Sequence, residues 1–517
     1  MKVVFSTVTC LTFGKAVNLV RRYTNPTPII DAAIFRYVKS YINEKNIGDS
    51  STILRLKRSN FTNSIDKPSM ARIYSIFVCG LFFVFGCTSD TIEGDQLDIT
   101  LQNAIKQVSS TGALDHFILA EHTDLENLPQ DPLNQLTAEK VALGSFLFFE
   151  TGMGIVPKND EGWQSYSCAS CHVPSADFKP GRMQGIGEGG EGFGFLGEAR
   201  VKHSAYEEVD MDVQGVRPLT VLNVAYSAEN TLWNGTFGSA GANEDTEEAW
   251  GVFDEASELN HLGYQGLETQ NIEGLDVHRM LMTPELAGEL NYKEHFDAAF
   301  PDIEGDDRYS NLTVSLALSA YLRTLTTTKA PFQKWIRGDM QAMSVQEKRG
   351  ALVFFSKGNC TNCHSGSSFS ATKFFALGVN DLDQSVSFRE DDETLKKNLG
   401  RAGFTGRDED LYKFKVPTLY NLQGTPFYFH GSSKRSLEEV VEYFDQAVPE
   451  NPRVPAELLA RDFKPLGLSE QEKADLVSFL EFGLQDNDVL RFMPNALPSS
   501  NCFPNADEQS RKELGCQ

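Results

Sequence analysis

One short pattern, present twice, constrains this chain more than any other feature. Residues 166–174 read YSCASCHVP and residues 358–366 read GNCTNCHSG, so Cys-x-x-Cys-His occurs in two places. Three chemistries use cysteines this close together. A thioredoxin-like redox pair sits in a βαβ setting and needs no fixed histidine, whereas the surroundings here read as helical and loop-like. A structural zinc site draws its cysteine pairs from stretches roughly 12–20 residues apart. Cys171 and Cys360 are far more distant, and a remote four-cysteine site leaves His172 and His364 unexplained. Covalent attachment of a c-type haem uses every residue of the pattern: two thiols bond the vinyl groups and the adjacent histidine reaches the iron. Cys168, Cys171 and His172 are therefore read as one haem anchor, and Cys360, Cys363 and His364 as a second. The sixth iron position then decides the chemistry. A closing methionine or histidine favours electron transfer, and an open position admits peroxide.

Around these anchors the apolar pattern is helical. LTAEKVALGSFLFF (136–149) has its apolar residues at helical spacing. SVQEKRGALVFF (344–355) repeats it in outline and opens with the capping pair Ser344 and Glu347. Each stretch precedes one anchor. SEQEKADLVSFLEFG opens with another capping pair, Ser469 and Glu472, while TPELAGELNYKEHFDAAF and NLTVSLALSAYLRTLTT each read as one helix. Residues 179–215 are glycine-rich without periodicity and read as a long loop, the kind that often carries function. The chain is thus expected to be mainly α, with two haem-bearing units at 134–329 and 330–490, long irregular loops, and a tail at 491–517.

The charge is unevenly spread. Residues 1–72 carry 12 Lys and Arg against 4 Asp and Glu; the remainder carries 35 against 67, within a formal net charge of −24. Such a split sets the first segment apart from the folded body. MARIYSIFVCGLFFVFGC, from Met70, has one basic residue, an apolar stretch and Gly86 before Cys87, the layout of an export signal. Residues 1–69 are read as upstream sequence, 70–87 as the signal and 88–133 as an acidic tether and entry segment with one helix near LQNAIKQV. Export permits disulfides, and Cys502 and Cys516 are read as a pair in the tail. The cysteine directly after Gly86 resembles the lipobox of bacterial lipoproteins. That likeness makes Cys87 a lipidation site and the membrane a partner, in the periplasm or cell envelope. The acidic body favours a basic partner and not a nucleic acid; a homodimer is left open.

From Asn134 to Asp486 the order of motifs resembles the bacterial dihaem cytochrome c peroxidases and their MauG-type relatives. The matching pieces are LTAEKVALGSFLFF, SCASCH, VRPLTVLNVAY, LWNG, GLETQ, EKRGALVFF, NCTNCH, FKVPTLYNL, FYFHG and SLEEVVEYF. The resemblance implies two cytochrome c-like helical domains with calcium between them. The N-terminal haem would meet hydrogen peroxide and the C-terminal haem would relay an electron from a small donor such as cytochrome c. It makes His172 and His364 the proximal ligands and Trp233 the tryptophan between the haems. Asn223 becomes a calcium ligand and Thr425 a backbone-carbonyl ligand of the same ion, Gln270 the distal glutamine, His203 a distal histidine, and His430 a residue near the haem interface.

Two departures stand out. Where the family has a distal glutamate before a methionine, this chain has Arg279 before Met280. Peroxide cleavage needs a group to move a proton between the oxygens, and His278, Arg279, Glu268 and Glu273 are the candidates. At the second haem, the position of the usual Met or Tyr ligand is Phe444, which cannot bind iron; Tyr443 points about 100° away on a helix. A MauG-type oxidase of a protein or organic substrate, and an electron relay without peroxidase turnover, are the rival readings.

Overall fold

The structure, a computed structural model, describes residues 94–381 and 396–516. The upstream segment, the export signal and Cys87 lie outside the described residues. The chain is mainly helical, with two short antiparallel strand pairs. Gly190–Glu191 (β1) lies against Val201–Lys202 (β2), and Ala371–Phe375 (β3) against Phe414–Val416 (β4), with Gly190 opposite Lys202 and Ala371 opposite Val416.

Helix 94–108 (α1) comes first in the described chain. Ala138–Leu147 (α2) starts at Thr137, whose side chain caps the Lys140 amide. Gly266–Val277 (α3) and Asn311–Arg323 (α4) join it in a first hydrophobic core; α2 and α3 both pack on α4. Helix α4 is buried over most of its length, which its nearly unbroken apolar and small-residue sequence permits.

Pro331–Ile336 (α5), Val345–Phe355 (α6), Leu437–Gln446 (α7) and Glu470–Ser478 (α8) build a second core. Helices α6 and α8 both open with the capping boxes read from sequence, at Ser344 and Ser469. The α2–α4 crossing has a counterpart in α6–α8, and each crossing needs a glycine. A Cβ at Gly144 would fall 1.9 Å from the Ala317 carbonyl oxygen, and one at Gly350 would fall 1.9 Å from that of Asp475. Only a residue without a side chain lets the backbones meet so closely.

The structure redraws two boundaries. Residues 94–119 are not a free tether: Leu101, Ile105, Phe117 and Leu119 are buried in the second core. Asp98 pairs with Lys348 at 2.8 Å and accepts from the Trp335 indole at 2.7 Å. The stretch after residue 488 packs on the first core through Val489, Phe492 and Leu497, and is held there by the Glu150 carboxylate, which accepts from Ser499 and Asn501. The two ends of the described chain therefore cross over, each completing the core distant from it in sequence. TPELAGELNYKEHFDAAF is also two helices, Pro284–Glu289 and Lys293–Ala299, because Asn291 takes a left-handed φ of 62° between them.

Candidate haem centres

Each Cys-x-x-Cys-His forms one tight turn. Cys168–Ser170 and Cys360–Asn362 are single 3-10 turns, and the His172 and His364 amides bond back to the Cys168 and Cys360 carbonyls at 3.1 and 2.9 Å. All four thiols are free. Burial pushes Cys168 and Cys360 up to about 12 and Cys363 to about 11. Thiols held protonated in apolar surroundings are poor redox nucleophiles. Among the described residues no three His, Cys, Asp or Glu side chains gather as a metal site, so the cysteine pairs do not join into a zinc centre.

The histidines fit haem iron. His172 Nδ1 lies 3.3 Å from the Phe178 carbonyl oxygen and His364 Nδ1 lies 2.6 Å from that of Phe369. Nδ1–H must donate to a carbonyl, which leaves the Nε2 lone pair for a metal. Burial pulls both rings down to about 4, so they are neutral at ordinary pH. Two thiols and a neutral imidazole on one turn are the donor set a c-type haem requires.

The first turn is braced by the tail. The Ser167 hydroxyl donates to the Pro504 carbonyl at 2.8 Å, Ser170 bonds Asn505, and the Ala506 amide donates to Ser165 at 3.0 Å. Cys502 and Cys516 are disulfide-bonded, closing this tail around Glu508–Leu514 (α9). Asp507 pairs with the buried Arg200 at 2.8 Å and accepts from the Gly192 amide, tying the glycine-rich loop to the tail.

That loop also reaches the end of α3. His278, the residue after α3, holds Asp212 through Nδ1 at 2.6 Å. Burial works against charge on His278, but the Asp212 carboxylate outweighs it and raises the imidazole. Arg279 has a left-handed φ of 55°, pairs with the buried Glu188, and keeps a buried Nη2 without a partner. The Tyr166 hydroxyl donates to the His278 carbonyl at 2.6 Å. His278 and Arg279 are thus brought together with two carboxylates behind them. Asp212 and Glu188 had no signal in the sequence because the loop that carries them has no period. Gln270 lies half-buried about two turns earlier on α3.

Other candidates are spent elsewhere. Glu268 is locked to Arg323 at 2.8 Å, both fully buried, and also accepts from Asn134, so it is not free to move protons. His203 does not sit against an anchor: Nδ1 accepts from the Ala205 amide at 3.2 Å and Nε2 lies 3.9 Å from Glu191 at the edge of the β1–β2 hairpin. The Tyr443 hydroxyl donates to the Leu377 carbonyl at 2.7 Å, and Phe444 packs among Phe429, Tyr443 and Phe463. A residue the sequence did not single out, His116, places Nε2 at 2.8 Å from the Ser365 carbonyl, beside the second anchor.

Trp233 lies where the cores meet. Its indole N–H donates to the Arg217 carbonyl at 2.7 Å, and its ring lies 6.2 Å from that of His430. His430 stacks on Phe414 at 3.7 Å and bonds Asp381 through Nε2 at 2.8 Å. The calcium expectation does not fit the Asn223 side chain. The Asn223 carboxamide is consumed by Thr327, donating to its hydroxyl at 2.8 Å and accepting from its amide at 2.9 Å. The Thr425 hydroxyl accepts from the Arg217 guanidinium at 2.7 Å, so a fixed positive charge already stands beside it.

A family model described as di-haem cytochrome c peroxidase matches residues 138–341. Cytochrome-c peroxidase IdrP1 of Denitromonas iodatirespirans is 28% identical over 385 residues, covering 70% of this chain and 86% of that protein. Methylamine utilization protein MauG of Methylorubrum extorquens is 29% identical over 358 residues, covering 69% of this chain and 81% of that one. A solved MauG-like protein associated with microbial copper homeostasis is 21% identical with a TM-score of 0.48, covering 71% of this chain and 95% of that chain. The stretch 138–341 is similar to the di-haem cytochrome c peroxidase family, and the likeness to curated proteins named cytochrome-c peroxidase and MauG extends over 69–70% of the chain.

Proposed function

We propose that the protein reduces hydrogen peroxide to water with electrons from a small donor such as a cytochrome c. The observation that carries the proposal is the His278–Asp212 and Arg279–Glu188 cluster at the position where the family has its distal glutamate. A c-type haem held by Cys168, Cys171 and His172 would supply the iron at which peroxide is reduced; a second, held by Cys360, Cys363 and His364, would store and pass electrons. One peroxide, two electrons and two protons give two waters.

The chain's own residues manage the protons. Asp212 fixes the His278 tautomer and supports its positive form, so Nε2 can take a proton from one peroxide oxygen and return it to the other. The unpaired Nη2 of Arg279 offers a donor for the negative charge that develops as the O–O bond breaks. Trp233, bonded to Arg217 and beside His430, offers an aromatic step for an electron between the cores. Gln270 orders the pocket from α3. In this reading the protein is exported and anchored through Cys87. Among the described residues no helix is long and apolar enough to cross a membrane.

The test is peroxide consumption by the haem-loaded protein with reduced cytochrome c, at several salt concentrations. Turnover should fall with salt, since an acidic body steers a basic donor. His278→Ala should lower kcat/KM for peroxide by about 10²–10⁴. Donor-independent oxidation of a protein or organic substrate would move the reading to a MauG-type oxidase, and absence of any peroxide reaction would leave an electron relay.

A further inference from the structure

Three basic side chains cross between the two cores, and all three are buried. Lys179, in the loop after the first anchor, donates to the Asn421 carbonyl at 2.6 Å. Lys415, on β4, donates to the carbonyls of Ser227 at 2.9 Å and Asn230 at 2.7 Å. Arg217 reaches furthest. Its Nη1 donates to the carbonyls of Arg182 at 2.6 Å and Met183 at 3.3 Å, and its Nη2 to the Pro180 carbonyl at 3.0 Å and the Thr425 hydroxyl at 2.7 Å. Among the described residues Arg217 and Lys415 form no ion pair with a carboxylate, while the buried Asp177 stands close enough to Lys179 to favour its charge.

This arrangement is unusual for side-chain cations. A buried charge is costly and is normally met by an opposite charge. At Arg217 and Lys415 neutral oxygens meet it, most of them backbone carbonyls, as protein oxygens meet a hard metal ion. Arg217 is 3% exposed, and four oxygens converge on one guanidinium. Its main chain is equally committed: the amide donates to the His430 carbonyl at 2.8 Å, and the carbonyl accepts the Trp233 indole. One residue therefore links the loop after the first anchor, Thr425 of the second core, Trp233 and His430.

We propose that Arg217 is the resident cation of the seam between the cores, beside Thr425, and that it positions Trp233 and His430. The seam is closed by the chain itself, with Lys179 and Lys415 on either side, their amines pulled down by burial to about 8 and about 7. A divalent ion at Thr425 would be repelled by the guanidinium already bonded there. The role of Arg217 does not depend on peroxide turnover.

The experiment uses the full-length haem-loaded protein and reads thermal unfolding and calcium binding, with no turnover assay. The native protein should keep its melting temperature in EDTA and bind no calcium by isothermal titration calorimetry. Arg217→Ala should melt several degrees lower, and millimolar methylguanidinium, which fits the vacated space, should recover at least half of that loss. Methylammonium should recover less, because it lacks the planar fork. If Arg217→Ala fails to accumulate, Arg217→Lys serves instead. That variant keeps the charge but cannot reach four oxygens, and should melt between native and Ala-like values without becoming chelator-sensitive. The proposal is overturned if EDTA lowers the native melting temperature and calcium restores it. It is also overturned if Arg217→Ala melts like the native protein, or if methylammonium rescues it as well as methylguanidinium.

Discussion

Around the first Cys-x-x-Cys-His turn lie two serines bonded to the tail, a glycine-rich loop, and a histidine and an arginine each backed by a carboxylate. Around the second lie residues 94–119 and the aromatic group of Phe429, Phe444 and Phe463. The turns themselves are near copies, each following a helix that ends in paired phenylalanines and each tying histidine Nδ1 to a backbone carbonyl. The difference lies in what was added around the copies. Polar, proton-handling groups collect near one, while an apolar setting with no protein ligand from Phe444 surrounds the other. Proton movement needs the former, whereas electron storage tolerates the latter.

The crossed-over chain ends are the sharpest way to separate the two surroundings. Asp98→Ala would leave Lys348 buried without its carboxylate and the Trp335 indole without its acceptor. Breaking a buried pair this way costs about 3–5 kcal/mol. The loss should appear first in the spectrum of the second haem during thermal unfolding. Asp507→Ala strips the partner from Arg200, which is 1% exposed, and should loosen the first haem instead. If both variants perturb both haems together, the two cores unfold as one body and the comparison fails.

The glycines test whether the copies are structural or only sequential. Helix propensity alone says that Gly144→Ala and Gly350→Ala should each stabilise, by up to about 1 kcal/mol. Contact says the opposite, because each new Cβ would land on a backbone oxygen of the crossing helix and force the pair apart. Overpacking of this kind costs about 1–3 kcal/mol and should win. Similar drops in melting temperature for both variants would support matched crossings. A neutral result at one of them would mean that its helices part freely, and the likeness would reduce to sequence.

Much of this was legible beforehand for a physical reason. Helices α2, α6 and α8 announce themselves through caps and apolar spacing, and the Cys-x-x-Cys-His turns through local chemistry that needs no distant partner. What stayed hidden depends on contacts between residues far apart in sequence. Gly144 and Gly350 looked ordinary until α4 and α8 were laid across them. The helix near LQNAIKQV is legible, but where residues 94–119 dock is not, because their four buried apolar side chains match no local partner. Asp212 and Glu188 lie in an aperiodic loop, and Arg217 binds through carbonyls, which every residue has. The resemblance alone points to Asn223 and His203, and the structure gives both side chains other partners.

Acid gives the gentlest probe, because it acts on the first core's clamp without altering any residue. Burial pushes the Asp507 carboxyl up, but Arg200, Ser510 and the Gly192 amide outweigh it and hold it below the usual carboxylate range. A carboxyl depressed on folding contributes stability that is fully present above its unfolded value of about 3.9 and is lost as pH falls through the folded value. The clamp should therefore be intact at neutral pH and weaken below about pH 4. Asp507→Asn cannot form the ion pair at any pH. The difference in melting temperature between native protein and Asp507→Asn should then be constant from pH 7 to 5 and shrink as the acid range is entered. Proteolysis of the tail should rise over the same interval in the native protein. A difference that persists undiminished at pH 2 would show that the amide loses packing and not charge, and the clamp on the first anchor would have to be assigned to the serine contacts with Pro504 and Asn505 instead.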